Sequence, residues 1–134
     1  MIALDSPVLI DLLVGDPCHA EAAEACLGDA LARDDVVVCE AVVAEVQAVL
    51  DTSVSLMEPL AVLGIRFLPA SEGAAMRAGH MLKRFRARSG SRERLVADFL
   101  VGAHALLQCD ALITRDAGFF RDYFKGLKLI VPGA

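Results

Sequence analysis

Five short, mostly apolar runs recur along this chain, each separated from the next by one or two stretches of helical periodicity, and that alternation leaves few folds open. The runs are Ile2-Ala3-Leu4, Val36-Val37-Val38-Cys39, Ile65-Arg66-Phe67-Leu68, Ala111-Leu112-Ile113-Thr114 and Lys128-Leu129-Ile130-Val131. Helical patterns cover residues 7–14, 19–33, 40–51, 56–63, 72–88, 95–108 and 117–123. Short apolar strands alternating with helices predict an α/β domain, with a mainly parallel sheet covered on both faces. The hydrophobic fraction, 56%, fits a sheet buried from both sides by closely packed helices. At 134 residues the chain forms a single domain, residues 1–134.

Local signals sharpen some boundaries. Pro7 suits the start of a helix, where a missing N–H costs nothing, and this predicts Ser6 as the N-cap. The chain is thus expected to turn from strand to helix directly after Asp5. Pro69 and Pro132 close the strands they follow.

Several classes of function are excluded at this level. The apolar runs fall far short of the roughly 20 residues a bilayer helix needs. Asp5 and Asp11 interrupt the first apolar stretch and no basic segment precedes it, so a cytoplasmic protein without a secretion signal is expected. The four cysteines, Cys18, Cys26, Cys39 and Cys109, form no CxxC pair and read as small core residues of a reduced protein. A net charge of −5 argues against a protein that coats nucleic acid. That total conceals a concentration: Lys83, Arg84, Arg86, Arg88, Arg92 and Arg94 are six of the thirteen basic residues.

Four carboxylates are placed where stability alone does not want them. Asp5 and Asp116 fall at the carboxyl ends of predicted strands, the rim where open α/β sheets bind ligands. At roughly 100° per residue, Asp98 shares a helix face with Leu95, Gly102, Ala105, Leu106 and Cys109. That face is apolar and should pack inward, so an ionised group there needs compensation. No base lies on it, and Arg94 is off to one side. Glu45 borders the stripe formed by Val42, Val43, Val46, Val49 and Leu50.

Three of the acids also have an ordinary reading, and Asp98 is the one hardest to explain that way. Asp5 and Asp116 serve equally as caps or solvated loop residues, and Glu45 as a residue facing water. Together, four converging acids without basic partners would repel one another, and one or two Mg²⁺ or Mn²⁺ ions would relieve this. Two such ions about 3.5–4 Å apart activate water and stabilise the leaving oxygen in phosphodiester cleavage. Ser6 and Thr114 are placed to support the acids through their hydroxyls.

The segments carrying these acids have a recognisable form. Ile2-Ala3-Leu4-Asp5-Ser6-Pro7-Val8-Leu9-Ile10-Asp11 resembles the first strand and helix of PIN-domain ribonucleases. Val38-Cys39-Glu40-Ala41-Val42-Val43-Ala44-Glu45 resembles the second acidic segment, Asp98-Phe99-Leu100-Val101-Gly102-Ala103-His104-Ala105 the third, and Leu112-Ile113-Thr114-Arg115-Asp116-Ala117-Gly118-Phe119-Phe120 the fourth. The order and spacing cover essentially the whole chain, and the chain resembles in particular the VapC-type toxins of toxin–antitoxin pairs. The resemblance implies an α/β/α sandwich, Mg²⁺- or Mn²⁺-dependent endonucleolytic cleavage of RNA, a homodimer, and inhibition by a cognate antitoxin. It makes Asp5, Glu45, Asp98 and Asp116 the catalytic and metal-site residues, with Ser6 and Thr114 as supporting polar groups. Two departures bear on fine positioning. Ser6-Pro7 replaces the usual Thr followed by Ser or Asn, and Cys39 stands where Ser is common.

The basic stretch flanks Ser89-Gly90-Ser91, a turn leading into the Asp98 helix. It is expected to guide an RNA backbone towards the acidic rim, with Arg92 and Arg94 the nearest to Asp98. A solvated helix end complementing the helix dipole is its structural alternative. Arg115 is placed either to meet a phosphate or to form a salt bridge. His104 lies roughly 240° round its helix from Asp98 and reads as a packing or interface residue. His19 and His80 read as surface residues.

Two other functions compete with the ribonuclease. A non-catalytic RNA- or protein-binding module on the same fold would be marked by a lost acid, and none is lost. A phospho-aspartate receiver or a dehalogenase-like phosphatase would need adjacent acids or an Asp-x-Asp motif after the first strand. This chain has Asp5-Ser6-Pro7 there, and no lysine between Lys83 and Lys125.

Overall fold

A computed structural model describes residues 1–51, 53–89 and 94–134, so Arg92 lies outside the described residues. The order is β1 (Ile2–Leu4), α1 (Ser6–Val14), α2 (Ala20–Arg33), β2 (Val36–Val38), α3 (Glu40–Val49), α4 (Met57–Leu63), β3 (Ile65–Phe67), α5 (Glu72–Ser89), α6 (Val96–Gln108), β4 (Ala111–Ile113), α7 (Ala117–Tyr123) and β5 (Lys128–Ile130). The five strands form one parallel sheet in the order β3-β2-β1-β4-β5, the core of an α/β/α sandwich. Among the described residues, no helix is long and apolar enough to cross a membrane.

The sheet order follows from burial. β1, β2 and β4 are buried at every position, whereas β3 and β5 present exposed or half-buried residues at the two edges. β1 pairs with β2 on one side and β4 on the other, with Ala3 opposite both Val37 and Leu112. The chain thus builds outward from β1 in one direction and then returns to build in the other. The crevice between β1 and β4, at their carboxyl ends, is the switch point where such sheets hold ligands.

Packing fixes the helices that frame this crevice. Phe85, Phe99, Phe119, Tyr123 and Phe124 form a connected aromatic cluster beneath α5, α6 and α7. Gly102 lets α6 approach it, because a Cβ there would fall 2.3 Å from the Phe124 ring. Glycine is required by that contact.

Several expectations need correction. Ser6 is not the cap but the first helical residue; Asp5 is the N-cap of α1, its carboxylate accepting from the Ser6 N–H. With Pro7 lacking an N–H, the free Ser6 amide at the helix start is satisfied by the adjacent Asp5 carboxylate, a stronger acceptor than a hydroxyl one residue later. β1 has its expected span, while the other four strands end one residue early, with Cys39 becoming the N-cap of α3 and Thr114 lying just beyond β4. The helix predicted to reach residue 51 stops at Val49. Leu95 is not packed inward but 64% exposed, because it precedes the first turn of α6. Of the cysteines, only Cys39 is a core residue, while Cys18 is exposed and Cys26 and Cys109 are half-buried; all four are free.

Candidate active site

Strand β1 delivers Asp5 to the carboxyl edge, and the start of α1 holds it there. Its Oδ1 accepts from the Ser6 N–H at 2.9 Å, and its Oδ2 accepts from the Thr114 hydroxyl at 2.7 Å. Thr114 is fully buried and accepts in turn from the Asp116 N–H at 3.0 Å. A single hydroxyl therefore ties the loop after β4 to the end of β1.

Asp5 is 7% exposed, and burial pushes its pKa up to about 6, against the Thr114 and Ser6 hydrogen bonds, which favour the anion. The negative charges of Glu45 and Asp98 push it further in the same direction. Glu45 comes from α3, where its Oε1 accepts from the Ser6 hydroxyl at 2.6 Å. Ser6 thus spans two acids, offering its N–H to Asp5 and its O–H to Glu45.

Asp98 sits in the first turn of α6, where its Oδ2 accepts from the Leu95 N–H at 3.0 Å. Its charge is compensated by the positive end of its own helix. This corrects the expectation that it lacks local compensation. Asp116 precedes α7 and meets Arg94, whose Nη1 lies 2.6 Å from its Oδ2. The Arg94 guanidinium also lies 4.1 Å from the centre of the Phe119 ring. The four acids therefore do have a basic partner among them, at one end. Sequence reading missed the Arg94–Asp116 pair because 22 residues separate the two, and only the fold brings them together.

Asp5, Glu45, Asp98 and Asp116 line one cleft of about 450 Å³, together with Ser6 and Arg94. Pro7, Ile10, Val49 and Phe120 form its apolar walls. Thr114 lies behind Asp5 rather than in the lining. Arg115 turns aside to Asp11, with Nε 2.8 Å from Oδ2 and Nη2 3.3 Å from Oδ1. That pair explains how Asp11, 5% exposed, is tolerated in α1, where an acid in an apolar helix was the one hint of it. His104 is buried, its pKa lowered by burial, and packs away from the cleft.

The donor chemistry fits a hard divalent cation. Carboxylate and hydroxyl oxygens are the ligands Mg²⁺ and Mn²⁺ prefer, and a cation would relieve the repulsion felt by Asp5. Among the described residues, the cleft acids do not bring three ligand atoms within 4.8 Å of one another; the group that does is Asp11, Asp16 and His19 at the α1–α2 turn. The cleft carries the better case, because Asp11 is already paired with Arg115 and Asp16 is already engaged by His19 Nδ1 at 2.8 Å.

A family model described as PIN domain matches residues 2–125. No curated protein matches the chain. Among solved structures, FitAcB from Neisseria gonorrhoeae is 26% identical, with a TM-score of 0.67, covering 98% of this chain and 98% of that one. VapBC-1 from nontypeable Haemophilus influenzae is 18% identical, with a TM-score of 0.71, over 100% of both chains. Mycobacterium tuberculosis VapC20, a sarcin-ricin loop cleaving toxin, is 15% identical, with a TM-score of 0.68, covering 96% of this chain and 99% of that one.

Proposed function

Because the chain belongs to the PIN domain family, we propose that it is a divalent-metal-dependent endoribonuclease, the toxin of a toxin–antitoxin pair, acting in the cytoplasm as a homodimer. The observation that carries this reading is the meeting of Asp5, Glu45 and Asp98 in one cleft, with Asp5 held at a pKa of about 6 by burial and by its two acidic neighbours. A Mg²⁺ or Mn²⁺ ion bound there supplies an activated water and charge stabilisation for the phosphodiester.

The chain's own residues supply the positioning. Thr114 and Ser6 hold the Asp5 oxygens, and Ser6 also fixes Glu45, so these two acids are oriented before anything binds. Asp98 lines the cleft and is anchored there by the Leu95 N–H. Arg94 pairs with Asp116, and opening that pair places a guanidinium where a substrate phosphate would approach. Arg92 and Arg115 are further candidates for RNA contact, Arg115 on release from Asp11. The antitoxin partner is supported by the structural likeness to a toxin–antitoxin complex from Klebsiella pneumoniae, 19% identical with a TM-score of 0.70.

The test is cleavage of a structured RNA with Mg²⁺ or Mn²⁺, repeated with EDTA and with Asp98→Asn. Loss of cleavage in both controls is expected; cleavage that persists in the Asp98→Asn protein rejects the assignment. One observation favours a second reading, a binding module without turnover: Asp116 is already engaged by Arg94. That reading predicts RNA binding with no metal-dependent product.

A further inference from the structure

A second concave surface lies between α5 and the end of α7, outside the acidic cleft. Arg77, Arg84 and Arg88 fall at i, i+7 and i+11 on α5, which puts them within about 40° of one another on one helix face. All three are exposed. Across from them stand Tyr123 and Lys125, and the groove between has a volume of about 240 Å³. Asp122 is the acid that lines it. Four cations against one carboxylate leave it strongly positive in a chain whose net charge is −5. Among the described residues, no carboxylate lies within 4.0 Å of any of these four cations.

The groove is joined to the cleft by a row of stacked groups. The Arg88 guanidinium lies 5.8 Å from the centre of the Tyr123 ring, and Tyr123 lies 5.5 Å from Phe119. Phe119 carries Arg94, which reaches Asp116 in the cleft. A continuous path of cations and aromatic rings thus runs from the basic groove to the acids.

We propose that this groove binds the backbone of single-stranded RNA, holding a segment of the substrate beyond the cleaved bond; the proposal rests on the ribonuclease reading above. Arginine and lysine neutralise phosphates without reading sequence, and an aromatic ring beside them offers a stacking surface to any base. An acidic peptide would satisfy the cations too, but the Arg88–Tyr123–Phe119–Arg94 contacts set the groove beside the acidic cleft, where a strand held there would continue beyond the groove.

The test measures binding of a labelled, unstructured RNA by fluorescence anisotropy in EDTA, across a salt series. Arg84→Gln/Arg88→Gln is compared with Arg33→Gln/Arg66→Gln, which removes the same charge from α2 and β3, outside the groove lining. The groove variant is expected to weaken binding about 10-fold at moderate salt, and to reduce the slope of log Kd against log salt by about 1.4. The Arg33→Gln/Arg66→Gln variant is expected to change Kd by no more than about 2-fold, since neither side chain lines the groove. Equal effects of the two variants, or no effect of the groove variant, overturn the proposal. So does an unchanged RNA affinity accompanied by lost binding to a purified antitoxin. Because no metal or turnover enters this measurement, RNA bound in the expected pattern but never cleaved with Mg²⁺ supports the groove and removes the ribonuclease reading.

Discussion

Thr114 and Asp5, 109 residues apart, are joined by a 2.7 Å hydrogen bond from the Thr114 hydroxyl to the buried carboxylate. The same hydroxyl accepts from the Asp116 N–H. Thr114→Val keeps the shape and removes both bonds, leaving a buried carboxylate oxygen and an amide unsatisfied. The expected loss is about 2–3 kcal/mol in denaturant unfolding. A further rise in the Asp5 pKa should accompany it, read as a shift of the pH–stability curve to higher pH.

Asp5 itself gives a pH dependence of definite sign. Its pKa is raised from 3.8 to about 6, so the folded state holds a proton that the unfolded state has released across that window. Stability therefore falls as pH rises from about 4 to about 6, and the loss is complete above it. Its size is of order 3 kcal/mol. Asp5→Asn should flatten that limb and melt higher than the parent protein at pH 7, while abolishing metal-dependent cleavage. A variant that still shows the limb would place its origin in another group.

Arg94 and Asp116 form a half-exposed ion pair, worth less than about 1 kcal/mol to folding. Arg94→Gln should leave the melting temperature nearly unchanged. It should tighten Mn²⁺ binding several-fold in calorimetric titration, because a cation beside the site is gone and Asp116 is released. Weaker Mn²⁺ binding would show that Arg94 orders the acids rather than competing for one of them.

Gly102→Ala places a Cβ against the Phe124 ring, which is locked in the aromatic cluster. Overpacking at this contact should cost about 2–3 kcal/mol, measured by thermal or denaturant unfolding. Some loss of cleavage should follow, since Asp98 lies one turn away on the same helix.

The architecture was legible because each strand is a short apolar run and the helices between are periodic; Val36-Val37-Val38 and Ala111-Leu112-Ile113 announce buried strands without help. The candidate acids were legible as misplaced charge. What a linear reading could not supply was compensation at a distance. Asp98 looked isolated on an apolar face because side-chain periodicity ignores the backbone amides at a helix start, and Leu95 N–H proved to be its partner. Arg94 looked peripheral because its partner arrives with a different strand. Asp11 and Arg115 are the same case, separated by 104 residues. The swap of roles between Asp5 and Ser6 at the cap turned on one residue of phase, which propensity does not resolve.

The sheet order has a temporal side. β1 occupies the middle of the sheet, yet one of its neighbours, β4, is among the last strands in the chain. A growing polypeptide holding only β1, β2 and β3 possesses Asp5 and Glu45 but lacks Thr114 to orient the first of them, and lacks Asp98 and Asp116 altogether. The candidate site therefore comes together only once β4 has joined β1, after both sides of the sheet have begun to form.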